Sequence, residues 1–454
     1  MNSRDIHGTR SHVQPPISTA MLQILEHAVS FMKILEIEVF HYLRGGAETV
    51  YFRTIDGLER RGHEVINFAL KWDLNLKSEY SDFFAESKES RKGFLRHFKN
   101  LYAYFYNIDA ARKLQKLIAE NRPDIAHVHL MWGQHSPSIL NVLKKSGVPV
   151  VLTAHDYRLV CPAYTFRNGK GAVCEECKGS NFVACIRNKC CKGNLPLSVV
   201  MATEQYFRNA YFPPHEYLDG IIYVSEFSRR KHEQYYTRLK ELPNMVLYNI
   251  SGDEEAIECG EKSDYVLFAG RLSEEKGVKT LIRAMRYCPE VILKMAGRGP
   301  LEQELRQYVE ENGLKNVEFL GFKDRDELNS LISGSRFVIV HSECYENNPM
   351  SIVEAYALGV PVVASRLGGI PEIVIPESTG FLFEAFDEKD LASTLSRAMR
   401  LDDAGLRNMK KKALEFAHEN FNNSLYFERL ENFFNDILTA RNGAGQRGYK
   451  SVGR

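Results

Sequence analysis

No stretch of this 454-residue sequence approaches the ~20 consecutive apolar residues that a spanning helix needs, so no membrane-crossing segment is expected. Neither sign of charge is in excess. The 59 basic side chains against 58 acidic ones leave a net charge of +1, which gives no electrostatic case for nucleic acid. The first residues carry Arg4 and Arg10 but no apolar region leading into a cleavage site, and no secretory signal is read there. Without one, the nine cysteines point to a reducing, cytoplasmic setting, where clustered thiols hold metal or stay free more often than they pair. What the sequence does have is length enough for two domains, each burying its own core.

Its chemistry is concentrated between Glu343 and Pro371. Glu346 is followed by Asn347-Asn348-Pro349 and then by an apolar run, Met350–Leu358, that carries Ser351 and a second carboxylate, Glu354. Pro349 suits a helix start, where its missing N–H costs nothing, and Gly359 suits the left-handed position just past a helix end. Val360–Ala364 is continuously apolar, the pattern of a strand buried on both faces of a parallel sheet. The loop Leu367-Gly368-Gly369-Ile370-Pro371 follows, with glycines that let backbone amides approach a ligand. Helix, strand and glycine loop make an α/β unit with a pocket at the strand's carboxyl end. Two acids eight residues apart can both reach such a pocket, and carboxylates accept paired hydrogen bonds from sugar hydroxyls. An isolated pair of this kind reads more simply as a loop charge and a solvated helix face.

Ahead of this stretch, strands alternate with helices. Residues 1–31 are polar and patternless, then weakly helical from Ala20. Met32-Lys33-Ile34-Leu35-Glu36-Ile37 reads as a first core strand with its own start codon, so 1–31 is either an untranslated extension or a capping helix. The strand Ile34–Phe40 leads through Gly45-Gly46 into a helix over Val50–Leu58, putting bare amides at a helix N-terminus, where an anion is favoured. A glycine pair alone more often means tight packing. A basic, aromatic helix is expected over Lys88–Ile118, with Phe94, Phe98, Leu101, Phe105 and Ile108 on one face and Arg91, Lys92, Arg96 and Lys99 around them. It is an ordinary core-facing stripe or a surface resting on anionic lipid.

Strands follow at Pro123–His129 and Val148–Ala154. His127 and His129 alternate on the first and read as structural. His155 stands just past the second, where a histidine can bond a hydroxyl or move a proton near neutral pH. Six of the nine cysteines then fall between Cys161 and Cys191. Cys174 and Cys177 are spaced to chelate one metal, with Cys185 and either Cys190 or Cys191 completing four. The second half lacks the same spacing, so a structural zinc stands beside free thiols and an iron–sulfur cluster as readings.

The second half of the chain opens on a buried strand, Tyr265–Gly270, and runs through Arg271-Leu272-Ser273-Glu274-Glu275-Lys276-Gly277 into a helix. Arg271 and Lys276 can converge there on one anion, unless they are stray charges on a solvated loop. Further strands are read at Val291–Ala296, Val317–Phe322 and Phe337–Val340. Asp324-Arg325-Asp326 mimics the acidic pair of a metal site but precedes a helix at Glu327–Ile332 and reads as an N-cap. Tyr426–Ile437 is an aromatic-rich terminal helix.

From Glu346 through Glu372 the residues resemble the Glu-x₇-Glu motif, and its continuation, of retaining glycosyltransferases of family 4. Gly270–Gly277 matches that family's Gly-Arg-Leu-x₃-Lys-Gly, the block Lys33–Val65 is similar to its opening, and the likeness runs from Met32 to about Ile437. The resemblance implies an α/β fold of two Rossmann-like domains facing across a cleft, the glycosyltransferase B (GT-B) arrangement. An extension at 1–31 would precede an acceptor-side domain at 32–248 with a Cys-rich insert at 161–191. A linker at 249–263, a nucleotide-sugar domain at 264–420, a crossover helix at 421–440 and a disordered tail at 441–454 would follow. The implied reaction moves a sugar from a UDP- or GDP-sugar to a hydroxyl with retention at the anomeric carbon.

In that family the residues matching Arg271 and Lys276 bind the diphosphate and offset the charge that develops on it, so no catalytic metal is expected. Glu346 would contact the donor sugar, Glu354 the ribose hydroxyls, and His155 the sugar. The Gly45-Gly46 loop would face the phosphates and the acceptor, and the strand ending at Phe322 the base. Gly270, Asn348, Met350 and Ser351 complete the expected donor site. One departure is that Asn347-Asn348-Pro349 stands where the family has Gly-Phe-Gly, which leaves the exact contacts of that segment open. The implied partners are a nucleotide sugar and a glycan or lipid-linked acceptor, with peripheral contact to the inner face of an anionic membrane during cell-surface polysaccharide or lipopolysaccharide assembly. Two other classes stand beside this: a nucleotide-sugar epimerase, which needs no acceptor, and a non-catalytic nucleotide-sugar-binding scaffold.

Overall fold

The structure, a computed structural model, describes residues 31–90, 96–252 and 264–448. The expected extension up to residue 30, the linker residues 253–263, residues 91–95 of the basic helix and the last six of the tail lie outside the described residues. Met32–Arg454 is a compact unit of its own.

Its first half contains β1 (Lys33–Ile37), β2 (Glu64–Phe68), the two-residue strands β3 (Leu70–Lys71) and β4 (Ala85–Glu86), β5 (Ile125–Val128), β6 (Val150–Ala154), β7 (Gly220–Tyr223) and β8 (Asn244–Val246). β3 pairs with β4, and the others form one sheet in the order β2-β1-β5-β6-β7-β8. The second half contains β9 (Tyr265–Ala269), β10 (Ile292–Ala296), β11 (Val317–Gly321), β12 (Phe337–Val340), β13 (Val362–Ser365) and β14 (Gly380–Phe383), ordered β11-β10-β9-β12-β13-β14. Every pairing in both sheets is parallel. β6, β7, β12 and β13 are buried along their whole length, which is why they are mostly apolar rather than alternating. The order reverses between β1 and β5 and between β9 and β12, and ligands of such sheets sit outside the strand ends at those reversals. The loops after β9 and β12 therefore mark where to look.

Each sheet carries helices on both faces. In the second domain one face packs Leu281, Ile282, Leu391 and Leu395 against Val266 and Phe268, and the other packs Ile352, Val353 and Tyr356 against Val338 and Val362. The helix Met350–Ala357 begins one residue after Pro349, and Gly359 follows it with φ +67°, the left-handed position anticipated there. In the first domain the outer face of the sheet is covered by the helix Gly46–Arg60 and by the long terminal helix Asn423–Gly448. Leu430 and Phe434 of that last helix are fully buried, worth about 1.5–3 kcal/mol each. Its buried Glu431 accepts from Arg61 at 2.6 and 2.8 Å and lies 3.0 Å from His63, tying the chain's end to its beginning.

Two readings of the sequence change here. The single basic helix over 88–118 is two helices, Arg96–Phe105 and Ile108–Asn121, because Asn107 adopts an extended backbone and its side chain accepts from Ala110 N at 3.2 Å. Asparagine is worth more as a cap than inside a helix. The terminal helix also runs to Gly448, into the span expected to be a disordered tail, since adding turns to an established helix is far easier than nucleating one.

Candidate active site

The loop after β9 turns at once. Gly270 N donates to Ala296 O at 3.0 Å, Leu272 is buried as an anchor, and the turn Glu274–Lys276 ends at Gly277 in the left-handed conformation, packed so closely on the His341 ring that a Cβ would lie 2.6 Å from it. This shape carries Lys276 toward the loop after β12. Its Nζ lies 2.6 Å from Glu346 Oε1, and the Ser342 hydroxyl donates to the same oxygen at 2.9 Å. Burial pushes the Lys276 ammonium down, but Glu346 outweighs it and holds the group above its ordinary value. Arg271 stays largely exposed at the rim, its guanidinium donating to Glu275 at 2.9 Å. Both cations thus stand at the strand-end reversal, one fixed and one with room to swing.

The glycine loop after β13 supports this arrangement from behind. Gly369 N donates to Glu346 O at 2.7 Å, and Cβ atoms on Gly368 and Gly369 would lie 2.4 and 2.0 Å from the carbonyl oxygens of Glu346 and Asn347. These glycines were expected to bring amides to a ligand. They bring backbone to backbone instead, because the segment Tyr345–Asn347 already fills the space a side chain would need.

Across the cleft, the first domain meets the same loop. Asn347 Nδ2 donates to the main-chain oxygen of His155 at 2.7 Å, and Asn348 Oδ1 and its carbonyl accept from Asn249 N and Nδ2 at 3.0 and 2.7 Å. The two asparagines that depart from the family pattern are therefore interdomain clasps. Asn348, expected at the donor, spends its side-chain oxygen on the hinge. Gly46 stands opposite Met350, close enough that a Cβ would lie 3.0 Å from its Cγ, which brings the Gly45-Gly46 loop to the helix that carries Ser351 and Glu354. Glu354 is half-buried and lies 3.5 Å from Arg53 of the first domain, so the structure gives it a cation where sugar hydroxyls were expected. Glu372 reaches the start of the helix Glu226–Tyr235, accepting from Glu226 N at 2.9 Å and Arg230 at 3.0 Å, a favourable place for a carboxylate. Phe322 is 70 % exposed beyond the end of β11, an open aromatic face at the edge of the second sheet. Asp324 caps the helix Arg325–Ser333 in a reciprocal capping box with Glu327.

The cysteine insert adds contacts that its sequence did not announce. Arg167 donates to Glu343 at 3.3 Å and Tyr345 to Glu175 at 2.6 Å, so the insert grips the loop that carries Glu346 on both sides. Lys231 and Tyr235 hold Glu175 in place. The eight described cysteines are free thiols. Cys185 touches Cys190 and Cys191, the latter at 4.0 Å, and Cys190 touches Cys174. The expected quartet of Cys174, Cys177, Cys185 and Cys190 is not drawn together within 4.8 Å, whereas four thiolates around one zinc would sit at about 3.8 Å from one another given Zn–S of ~2.3 Å. The thiols in contact form a chain that includes Cys191 rather than Cys177. Elsewhere, a cavity of about 580 Å³ lined by Arg53, Arg60, Arg61, Arg325 and Phe427 opens at the hinge, away from Lys276 and Glu346.

The two halves of the chain match two family models, Glycosyltransferase Family 4 over residues 44–249 and Glycosyl transferases group 1 over residues 252–416. The chain is built of glycosyltransferase domains. An uncharacterized glycosyltransferase of Methanocaldococcus jannaschii is 26% identical over 360 residues, 79% of this chain and 86% of its own length. A putative colanic acid biosynthesis glycosyltransferase of Escherichia coli is 31% identical over 175 residues, 36% of this chain and 43% of its own. Among solved structures, the Anabaena protein HepE in complex with UDP and glucose superposes with a TM-score of 0.65 at 18% identity, over 89% of this chain and all of that one. That likeness shows the GT-B fold.

Proposed function

We propose that this glycosyltransferase moves a hexose or hexosamine from a nucleotide diphosphate sugar to a hydroxyl of a glycan or lipid-linked acceptor, with retention at the anomeric carbon. The observation that carries the reading is the Lys276–Glu346 pair at the strand-end reversal of the second sheet, with Arg271 at its rim. Two cations meet the diphosphate as the glycosidic bond breaks, so its growing charge is offset by side chains already in place. Glu346 takes hydroxyls of the sugar, Glu354 those of the ribose once Arg53 yields, and His155 a further sugar hydroxyl. Gly45 and Gly46 line the phosphate side, Gly270, Met350 and Ser351 the rest of the donor, and Phe322 the base. UDP is the favoured nucleotide because the Anabaena neighbour holds UDP and glucose. Polysaccharide assembly is favoured by the Escherichia coli relative.

No described helix is long and apolar enough to cross a membrane. A lipid-linked acceptor would instead meet the exposed Leu101, Tyr102, Leu195, Val199 and Tyr211 on the helices Arg96–Phe105 and Leu195–Tyr211, at the inner face of the cell membrane. A zinc ion in the insert would serve structure alone, and would need the thiols to draw together first, since no three of Cys174, Cys177, Cys185, Cys190 and Cys191 lie within 4.8 Å of one another. The test is a panel of UDP- and GDP-sugars, followed for nucleotide release, donor conversion and binding, with and without chelator. Chelator-insensitive release from one donor, abolished in Lys276→Ala, supports the reading. Conversion of the donor to an isomer without release points to an epimerase, and binding without turnover, even with acceptor glycans supplied, to a scaffold.

A further inference from the structure

β1 carries a carboxylate where a buried parallel strand wants an apolar residue: Glu36 is fully buried and stands in register beside His127 of β5. Its Oε1 lies 3.0 Å from His127 Nδ1 and its Oε2 2.9 Å from His129 Nε2. At the far ends, His127 Nε2 lies 2.7 Å from the Thr153 hydroxyl and His129 Nδ1 lies 2.8 Å from Nε2 of His155, whose ring stacks on it at an angle of 12°. The chain of contacts thus runs from the middle of the first sheet to the histidine at the cleft.

The protons along it can be assigned from chemistry. An ionised carboxylate only accepts, so both nitrogens facing Glu36 carry hydrogen. Burial pushes this carboxyl up, but the two imidazoles outweigh it and hold it down at about 2. Burial holds His129 at about 4, so it is neutral and has one proton, which Glu36 takes on Nε2. Its Nδ1 is therefore a lone pair, and the 2.8 Å contact requires the hydrogen to sit on His155 Nε2. We propose that Glu36 and His129 are positioning residues that lock His155 in its Nε2–H form, so that its Nδ1 offers a lone pair, and never a proton, to a hydroxyl of the bound sugar. The proposal rests on the reading of His155 as a sugar contact. The ligand atoms of Glu36, His127 and His129 also lie within 4.8 Å of one another, which suits a metal ion. Both carboxylate oxygens and all four nitrogens of the two imidazoles already have partners at 2.7–3.0 Å, however, so the cluster is complete without one.

The test is nitrogen NMR of the full-length protein labelled with ¹⁵N-histidine, with the His155 signals assigned by their loss in His155→Gln. Wild type should show one tautomer, protonated at Nε2 alone. Glu36→Leu frees His129 to turn its proton toward His155 and should give a mixture. His129→Leu should do the same, while His129→Asn, whose side-chain oxygen still accepts, should keep the single form. Loss of one well-formed hydrogen bond to the sugar should raise KM for the donor about tenfold in the two leucine variants, with His129→Asn recovering most of it. An unchanged His155 tautomer in both leucine variants overturns the proposal, as does one equivalent of metal that Glu36→Leu loses. If Glu36→Leu fails to fold, the His129 pair decides. The tautomer is read without turnover, so a wild-type protein that consumes no donor would defeat the transferase reading and leave the relay standing.

Discussion

Glu346 Oε1 is held by two donors, the Lys276 ammonium and the Ser342 hydroxyl, which fixes where the carboxylate stands relative to a sugar at the strand ends. Lys276 has two tasks there, holding Glu346 and facing the diphosphate. Lys276→Ala should accordingly lower kcat/KM for the donor on the order of 10²–10³-fold, the scale seen when a preorganised charge-stabilising donor is removed. Ser342→Ala removes one of two holds and should cost about tenfold or less. Steady-state donor consumption checks both, and unchanged turnover in Glu346→Ala would remove the donor site from this loop. Gly369 offers a sharper probe of the loop's shape. Its φ of −82° suits any residue, so a methyl there brings no backbone strain and meets the Asn347 carbonyl, 2.0 Å from where the Cβ would stand, with the Ser225 hydroxyl next at 3.1 Å. Gly369→Ala should displace Glu346 and Asn347 together, lowering kcat/KM about as far as Ser342→Ala or further. Full activity in Gly369→Ala would mean the loop has slack.

At the scale of elements, what the sequence made legible was what depends on neighbours in the chain. β12 and β13 are continuously apolar, Pro349 and Gly359 bracket a helix, and Asp324 with Glu327 forms a capping box, so those elements stand where local chemistry puts them. Asn107 was legible too, as a cap, but the aromatic stripe on either side of it outweighed one polar residue in the reading. Lys276 and Glu346 were named as site residues, yet their contact crosses 70 positions and no local pattern announces it. The same holds for Arg53 at Glu354, for the two asparagine clasps, and for Arg167 and Glu175 gripping Glu343 and Tyr345. This grip makes a prediction about the insert. If it stiffens the loop that carries Glu346, Arg167→Ala with Glu175→Ala should raise KM for the donor several-fold, by the loss of two partly buried hydrogen bonds. A KM that does not move in the double variant would make the insert a bystander to donor binding.

At the scale of the whole molecule, the buried histidines decide how the fold answers to acid. Burial holds His41, His129, His135 and His232 of the first domain down at about 4, and His341 of the second at about 3. An unfolded histidine takes its proton near pH 6.5, so between about 6.5 and 4 the unfolded chain binds more protons than the folded one. Stability from these groups is complete above pH 6.5 and is lost as pH falls, by up to about 1.4 kcal/mol per pH unit for each group. Glu36, held at about 2, adds a loss of the same sign below pH 4.5. Glu38 and Glu48, raised by burial, work the other way, because a carboxyl already protonated in the fold gains nothing from ionising in it and favours the folded state more as pH drops toward 4.5. With His155 and His215 also held down and Glu59 also raised, six depressed histidines against three raised carboxyls leave the first domain the acid-labile one, while the second domain has His341 against the raised Glu372. Calorimetry from pH 7 to pH 5 should show the melting temperature fall by several degrees, and hydrogen exchange at pH 5 should show the first sheet losing protection before the second. His232→Gln, which removes one buried imidazole between Tyr157 and Tyr223, should flatten the slope. A melting temperature constant across that range, or a second sheet that opens first, would show that the buried imidazoles find their protons without unfolding the sheet around them.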